Sequence, residues 1–577
     1  MKRSNVLLAV LCLLMMSCNP NEDTVSNPPP TTDFTKNFGV SVARDFIGQV
    51  VDSNNLPVES ATIKIGNTTV QTDTNGVFIV NDANVYEKFA YITAKKEGYC
   101  DGSRAMIPTE GKNNVRIMMI PNTPIATITS GSASEVTLAN GTKVVFDGAF
   151  ETEAGVAYSG SVAVAMFHLK PSDPNTSSLM PGMLYAQATD GSAKVLQTFG
   201  MMQVELKGSD GQKLQIAKSH TAQIKMQIDD AQGGTAPSTI PLWHFDEENG
   251  YWKQEGSATK VGNQYVGTVS HFSWWNCDAY FSTVNLSAKV LDSNGNPIPN
   301  VAIGLIANGS SFPAMGYTDN NGEVSGLIPA NQTITLNVYE ECGIVYTVTI
   351  GPFSQDTVLP TITLSSSAVI STKINGTLLK CNGSNVTNGY VVLSKEGGDQ
   401  LISVTNGAYS FNALFCSGVT SFSLRAVDLD NLQTTAYTTY TIATPVTTVG
   451  SLNCCNAIAE YLYYKIDNGP VRYIFANKGG GYNSPSLLFS AWGYDYATGN
   501  SLFVIGNTLV PGIYNSPVFS INGIGGPYVY ANENITYNLK KFGTIGQPIE
   551  MTLAGTYDDN YGVNHTISAS ISVIRNQ

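Results

Sequence analysis

From about residue 45 onward, apolar and polar residues alternate in short runs. Asn-Gly, Asp-Gly and Gly-Asn pairs interrupt these runs at close intervals. Alternation with a period of two residues, bounded by such pairs, is typical of half-buried β-strands joined by tight turns. Almost no segment repeats its apolar residues with the helical period. The pattern therefore predicts an all-β fold.

The N-terminus has a different pattern. Lys2 and Arg3 precede an uncharged apolar run from Val6 to Met16. The run is shorter than the roughly 20 apolar residues that a membrane-spanning helix needs. We therefore predict a signal peptide over residues 1–17 that is removed from the mature protein.

The apolar run ends in Ser17-Cys18, and the sequence then becomes polar and rich in proline. This junction resembles the lipobox of bacterial lipoproteins, although Met15 departs from the leucine usual at its position. The resemblance implies a diacylglycerol on the thiol of Cys18 and hence a membrane partner through a lipid anchor. The alternative is ordinary secretory cleavage beside an incidental cysteine.

A short polar segment follows Cys18 and contains Glu22 and Asp23. It resembles the acidic export signal of Bacteroidetes surface lipoproteins, which implies the outer membrane and the cell surface as the location. A solvated linker is the alternative.

Residues 18–44 also contain Pro28-Pro29-Pro30 and no hydrophobic periodicity, so we expect a flexible, disordered linker there.

The remaining chain contains an internal repeat. Residues 52–63 align with residues 292–303 without a gap, and each copy is followed by a second turn ending in Asn-Gly. A weaker third copy spans residues 376–411. The pattern resembles the carboxypeptidase regulatory-like domain, a transthyretin-like β-sandwich. The resemblance implies non-catalytic modules at 45–121, 279–365 and, in divergent form, 366–449.

Two other segments complete the predicted organisation as tandem β-sandwich modules of the transthyretin-like or Ig-like type. Residues 122–278 resemble the β-domain of ankyrins and netrin receptors, on the strength of the blocks at 240–252 and 270–276. Residues 450–577 resemble a terminal β-sandwich of Bacteroidetes surface proteins. Both resemblances imply interaction rather than catalysis.

Composition narrows the class of function. The formal net charge of -13 argues against a nucleic-acid partner, which demands a basic surface. No Cys-x-x-Cys or His-Glu-x-x-His pattern is present, so we expect neither a metal site nor a cofactor. Seven cysteines remain after Cys12 and Cys18 are set aside, an odd number that leaves at least one thiol free. Cys381 and Cys416, within one predicted module, are the expected disulfide.

Candidate catalytic groups are few, and we expect no enzyme activity. Asp246-Glu247-Glu248 offers carboxylates but lies in one predicted turn. The tripeptide His271-Phe272-Ser273 resembles the self-cleavage site of some relatives of the ankyrin-type β-domain and of a nucleoporin. That resemblance implies attack of Ser273 on the preceding carbonyl with His271 as the base, on one face of a predicted strand. An ordinary structural strand is the alternative.

Aromatic residues suggest a binding surface. Trp492, Tyr494 and Tyr496 alternate along one predicted strand, as do Tyr461 and Tyr463. An exposed aromatic face would stack sugar rings or bind a protein, whereas a buried one would only fill a core. We therefore expect a membrane-anchored, surface-exposed, non-catalytic lipoprotein that presents β-modules for adhesion or for glycan or protein binding. The alternative is a structural spacer or an assembly subunit of an envelope complex.

Overall fold

The computed structural model describes residues 33–308, 310, 312–365, 369–395, 398–457, 461–467, 472–474, 478–483, 488–494, 501–515, 517–522, 528–529, 534–559 and 562–576. The predicted signal peptide, Cys18 and Tyr496 lie outside these residues. From Phe34 onward the chain forms one unit, and nearly all the regular secondary structure of its described residues is β-strand. The predicted all-β fold is confirmed.

The first repeat module is a sandwich of two sheets, with strand order β4-β1-β7 in one and β3-β2-β5-β6 in the other. β1 pairs antiparallel with β4 and parallel with β7. Strands β1 to β7 run, in order, at Ser41–Asp52, Thr62–Ile65, Thr68–Gln71, Val77–Tyr86, Ala90–Lys95, Gly102–Met106 and Lys112–Met119.

The repeated sequence makes the same turns in the first two copies. The carboxylate of Asp52 accepts hydrogen bonds from the backbone N–H groups two and four residues ahead, and the carboxylate of Asp292 does the same. Gly76 has a φ of 70°, and a Cβ there would lie 2.2 Å from the carbonyl oxygen of Val50. Gly322 has a φ of 75° and meets the corresponding carbonyl. Both positions therefore require glycine.

The middle module is one network of strands whose hydrogen bonding closes on itself. Its core contains Trp275 and the apolar faces of several long strands. Strands β8 to β21 run at Ala126–Thr129, Ser134–Thr137, Lys143–Phe146, Phe150–Thr152, Ala157–Tyr158, Ser161–Leu169, Tyr185–Gln187, Ala193–Lys207, Lys213–Ile216, Ala222–Gln227, Thr239–Asp246, Tyr251–Val261, Gln264–Val269 and Trp274–Leu291. A short α-helix lies at Thr176–Leu179 and a 3-10 helix at Asp230–Gln232.

The second repeat module shares β21 with the middle module. The first part of this 18-residue strand pairs with β15 and β18, and the second part pairs antiparallel with β24 and parallel with β27 and β28. The other strands, β22 to β28, run at Ala302–Ala307, Ala314–Tyr317, Glu323–Pro329, Ile334–Glu340, Gly343–Ile350, Thr357–Val358 and Ile362–Thr363. The continuous strand holds the two modules in a fixed orientation.

The third repeat module has the same arrangement, since β29 pairs antiparallel with β32 and parallel with β36. Strands β29 to β37 run at Val369–Lys380, Gly389–Lys395, Gly398–Ser403, Ala408–Cys416, Ser421–Asp428, Gln433–Thr434, Thr438–Thr441, Val446–Cys454 and Asn456–Ala457. The three aligned copies thus place their first strand between an antiparallel and a parallel partner.

The terminal module packs a six-stranded sheet, ordered β39-β38-β48-β47-β46-β43, near a five-stranded sheet, ordered β40-β41-β42-β44-β45, around a shared apolar core. Strands β38 to β48 run at Tyr461–Ile466, Arg472–Ile474, Lys478–Asn483, Leu488–Tyr494, Ser501–Gly506, Gly512–Asn515, Val518–Asn522, Tyr528–Val529, Ile535–Phe542, Pro548–Asp558 and Asn564–Ile574.

Part of the segment expected to be a flexible linker is ordered. Residues Phe34–Phe38 form a 3-10 helix, and both phenylalanines are buried. They pack with Phe89, Tyr185 and Tyr251 in one aromatic cluster. Burial of two large rings offsets the entropy cost of ordering this short helix. The prediction of disorder up to residue 44 is therefore wrong for this stretch.

The predicted Cys381–Cys416 disulfide is also wrong. The structure joins Cys342 to Cys416 and Cys381 to Cys455. Cys416 pairs with the first residue of β29, whereas Cys381 follows the last residue of that strand. Twelve strand residues span roughly 36 Å, far beyond the about 7 Å that a disulfide permits between Cα atoms. Among the described cysteines, three are free, and all three are buried.

The first repeat module contacts the middle and terminal modules. The hydroxyl of Ser103 donates to the carbonyl of Pro181 at 2.7 Å, in a buried position. Leu56 and Tyr463 form a small apolar cluster together with Tyr437 and Tyr461. Apolar and hydrogen-bonded contacts of this kind restrict the relative motion of the modules.

The first repeat module also contacts the second and third repeat modules. The hydroxyl of Thr109 donates to the carboxylate of Asp319 at 2.9 Å. The hydroxyl of Tyr390 donates to the carboxylate of Asp73 at 2.6 Å and accepts from the side-chain amide of Asn75 at 2.7 Å. The first module thus contacts each of the other four.

Candidate functional sites

The tripeptide His271-Phe272-Ser273 lies in the connection between β20 and β21, so its prediction as part of a strand is wrong. The side chain of Gln215 supplies the hydrogen bonds that a strand partner would have made. Its Oε1 accepts from the N–H of Phe272 at 2.7 Å, and its Nε2 donates to the carbonyl of Phe272 at 2.8 Å. The Phe272 side chain is buried.

The two predicted cleavage residues have different partners. The hydroxyl of Ser273 donates to the carbonyl of Trp274 at 3.1 Å. Nε2 of His271 lies 3.4 Å from Oε2 of Glu255. The arrangement therefore directs the imidazole of His271 to a carboxylate, while Gln215 holds the carbonyl that Ser273 would attack.

A second histidine faces the same carboxylate. Nε2 of His244 lies 3.7 Å from Oε2 of Glu255. The rings of His244 and His271 meet edge to face, with centroids 4.7 Å apart. One ligand atom from each of the three residues lies within 4.8 Å of the others. Among the described residues, this histidine–glutamate cluster, formed by His244, Glu255 and His271, is the one group of this kind.

Local structure positions each member of the cluster. His244 lies on β18, directly across from the fully buried Trp275 of β21. Glu255 and Gly256 on β19 together face the single residue Leu242 on β18, which makes a β-bulge, and Gly256 has a φ of 78°. A bulge re-aims the side chains around it relative to the regular pleat.

Burial and charge shape the electrostatics of the cluster. Burial, followed by the neighbouring charge of His271, lowers the pKa of His244 to about 4. His244 is therefore neutral at pH 7, with a ring nitrogen lone pair available. Oε1 of Glu255 accepts a hydrogen bond from the hydroxyl of Ser270 at 2.8 Å, which fixes the carboxylate.

Local sequence spacing did not reveal this cluster. Its members lie in three segments that only the pairing of β18, β19 and β21 brings together. The absence of a short ligand motif suggested that there is no metal site, but such motifs report only ligands that are close in sequence.

The acidic turn behaves as the sequence suggested. The carboxylate of Asp246 accepts hydrogen bonds from the backbone N–H groups of Glu248 and Asn249, at 3.1 and 2.9 Å. Asp246 also forms an ion pair with Lys253. These contacts close a hairpin turn, and they lower the pKa of Asp246 against the opposing effect of burial.

The aromatic residues divide between a surface and an interface. Trp492 and Tyr494 are partly buried and share one face of β41, while the opposite face, with Phe489, lies in the core. Trp492 stands directly across from the partly buried Phe503 of β42. Tyr496 lies outside the described residues. We call Trp492, Tyr494 and Phe503 the aromatic face.

The other aromatic pair, Tyr461 and Tyr463, lies at the contact between the terminal module and the first repeat module. Tyr463 is buried, and its ring stacks on that of Tyr461 with centroids 5.3 Å apart. Both pack with Leu56 of the first repeat module. This pair therefore joins two modules and is not a ligand platform.

No known family model matches the chain. Human (Homo sapiens) cartilage intermediate layer protein 2 is 25% identical over 124 residues, which cover 21% of this chain and 10% of that protein. The match thus spans about a tenth of the length of this curated relative. Within the described residues, no helix combines the length and hydrophobicity required to span a membrane.

Solved structures also show weak similarity. The major pilin subunit of Bacillus cereus is 12% identical and covers 56% of this chain and 99% of its own, with a TM-score of 0.13. The Bacillus anthracis TIE protein is 10% identical, with 71% and 73% coverage and a TM-score of 0.13. The minor pilin of Streptococcus agalactiae is 11% identical, with 30% and 96% coverage and a TM-score of 0.14. At such TM-scores, these similarities carry no conclusion about function.

Proposed function

We propose that this protein is a non-catalytic lipoprotein of the Bacteroidetes surface type, anchored in the outer membrane and displayed on the cell. Its carboxypeptidase regulatory-like modules form a scaffold for the terminal module, which binds a glycan or protein ligand. The observation that carries the proposal is the aromatic face, which leaves Trp492 and Phe503 partly exposed on one sheet.

The aromatic face has the chemistry that sugar recognition uses. Flat aromatic rings stack on the apolar faces of sugars, and neighbouring polar groups bind the hydroxyls. The partly exposed Ser490 lies on the same face of β41 as Trp492, and Ser501 lies across from Tyr494. Protein ligands use the same residue types, since tryptophan and tyrosine are enriched in binding hot spots.

The contacts between modules support a role in display. A strand shared by two modules, a disulfide between Cys342 and Cys416, and buried hydrogen bonds hold the modules in fixed positions. A rigid support reduces the entropy lost when a ligand binds. The lipid on Cys18 would attach this support to the membrane.

A binding panel tests the proposal. Purified wild-type protein and the Trp492→Ala variant are applied to arrays of glycans and of extracellular proteins. The wild type should retain a ligand, and the variant should lose most of that binding. Tyr317→Ala removes an exposed aromatic residue from the second repeat module and serves as the matched control. Absence of any ligand at high protein concentration would favour the structural spacer or assembly subunit instead.

Autoproteolysis at Phe272-Ser273 is a second candidate. The observation in its favour is the hydrogen bond from Nε2 of Gln215 to the carbonyl of Phe272, because a donor at this oxygen would stabilise the developing oxyanion. Purified wild-type protein on a denaturing gel should then give two fragments. The Ser273→Ala variant should give a single full-length band. A single full-length band from wild type would leave Ser273 as a structural residue.

A further inference from the structure

His244, Glu255 and His271 come from three segments of the middle module and direct their polar atoms to one point. We propose that this histidine–glutamate cluster binds a divalent transition-metal ion such as Zn²⁺. The Nε2 atoms of both histidines and the carboxylate of Glu255 would be its ligands. This site is separate from the aromatic face and does not depend on the proposed binding function.

The distances from Glu255 to the two histidines are longer than hydrogen bonds and close to those between ligands of one metal ion, and all three ligand atoms lie within 4.8 Å of one another. Oε2 of Glu255 lies 3.4 Å from Nε2 of His271 and 3.7 Å from Nε2 of His244. Hydrogen bonds from N–H to oxygen span about 2.7–3.2 Å. Ligands at about 2.0–2.2 Å from a tetrahedral Zn²⁺ lie roughly 3.3 Å from one another. Small side-chain rotations would therefore complete the coordination.

The surroundings hold the ligands in place. The hydroxyl of Ser270 donates to the other oxygen of Glu255 at 2.8 Å, and hydrogen bonds of this kind orient metal-ligating carboxylates. The indole N–H of Trp275 donates to the carbonyl of His271 at 3.0 Å. The same indole ring lies against both imidazoles, with centroids 5.1 and 5.7 Å away. The cluster is thus built on a buried tryptophan.

The type and exposure of the ligands indicate which ion would bind. Imidazole and carboxylate together suit Zn²⁺ and related ions, whereas Ca²⁺ and Mg²⁺ favour oxygen ligands alone. The side chains of His244, His271 and Glu255 are 18%, 33% and 42% exposed, so an ion would have access from solvent. Three protein ligands leave a fourth position for water.

Metal binding would have a structural effect and would compete with cleavage. The ion would tie the β20–β21 connection to strands β18 and β19. It would also occupy the imidazole of His271, which then would not accept a proton from Ser273. Bound metal and autoproteolysis through His271 are therefore mutually exclusive states of the middle module.

Calorimetric titration tests the proposal. Full-length protein is treated with a chelator, freed of it and titrated with zinc chloride. We expect one ion per chain, and binding at least ~10-fold weaker in His244→Ala, His271→Ala and Glu255→Gln. His220→Ala is the matched control, because His220 is an exposed histidine of the same module that is paired with the carboxylate of Asp147 at 2.7 Å.

A spectroscopic measurement on the wild type does not depend on the folding of any variant. Co²⁺ in place of Zn²⁺ should give the visible absorption of a four-coordinate ion with nitrogen and oxygen ligands. Tryptophan emission checks that each variant is folded. Absence of zinc uptake by the wild type, absence of the cobalt absorption, equal binding by His271→Ala, or loss of binding in His220→Ala would each overturn the proposal.

Discussion

His168 is a buried histidine of the middle module with a pH-dependent contribution to stability. Its Nδ1 lies 2.9 Å from Nδ2 of Asn140 and 3.1 Å from the hydroxyl of Thr142. Burial, together with the charge of Lys170, lowers its pKa from 6.5 to about 4. The ring is therefore neutral in the folded protein at pH 5–6, where the unfolded chain takes up a proton.

The sign of this effect follows from linkage. The contribution of neutral His168 to the free energy of unfolding is fully present above pH 6.5. It is lost as the pH falls toward 4, by up to about 3 kcal/mol. Chemical unfolding followed by tryptophan emission should show it, because four of the five tryptophans lie in the middle module. His168→Gln should reduce the loss of stability between pH 7 and pH 4.5. An unchanged dependence on pH would contradict this assignment.

Tyr390 provides a second prediction for a single residue. Its hydroxyl bridges the half-buried Asp73 and the buried Asn75 of another module. Tyr390→Phe removes this hydroxyl and with it one hydrogen bond to the carboxylate of Asp73 and one from the amide of Asn75, at a cost of about 1–3 kcal/mol in the free energy of unfolding. Thermal unfolding should reveal the loss. Tyr317→Phe, at an exposed position, should not change the free energy of unfolding. Equal stability of Tyr390→Phe and wild type would show that this hydroxyl does not contribute to stability.

Residue types in the repeat were predictable because their physical role is local. Asp52 accepts hydrogen bonds within its own turn, and Gly76 supplies the positive φ of its turn, so the sequence pattern alone identifies both. The role of Tyr390 depends on a module more than 300 residues away in the chain, and no local pattern reports such a contact. The partners of His271 were hidden for the same reason.

At the scale of elements, the disulfides give a direct test of strand order. Mass mapping without reduction should recover Cys342 linked to Cys416 and Cys381 linked to Cys455, with Cys454 as a free thiol. Each bridge closes a loop with a sequence separation of 74. Joint replacement of Cys342 and Cys416 by serine should therefore lower stability by about 4 kcal/mol. Recovery of a Cys381–Cys416 peptide would contradict the structure.

The positions of strands and turns were easier to predict than the pairing of strands and the boundaries between modules. The sequence repeat indicated strands that recur in three modules with the same pairing. It did not indicate that β21 continues past residue 278, where we expected a boundary between modules. It also did not indicate that Cys381 and Cys416 lie at opposite ends of β29. Pairing across the sheet, rather than local pattern, determines both.

At the scale of the whole molecule, the anchor is the first prediction. Cys18→Ala removes the thiol that would carry the diacylglycerol, so the variant should leave the membrane fraction and become soluble. Cys100→Ala, at a buried free cysteine of the first repeat module, is the control and should fractionate like the wild type. If Cys18→Ala remains with the membranes, the anchor assignment is wrong.

The alternating sequence pattern predicted an all-β protein made of modules, but not how those modules pack against one another. Alternating patterns and frequent turns indicated tandem β-modules. In the structure the modules pack against one another through contacts such as Ser103 with Pro181 and Leu56 with Tyr463. Each such contact involves a few residues without any periodic pattern.

The most direct test of the proposed function combines anchor, orientation and binding in one measurement. Intact cells carrying wild type, Cys18→Ala or Trp492→Ala are incubated with the labelled ligand found in the binding panel, and the ligand retained on the cells is measured. We predict retention by the wild type alone, without opening of the outer membrane. Equal retention by cells with Trp492→Ala, or retention only after the outer membrane is opened, would contradict the proposed function.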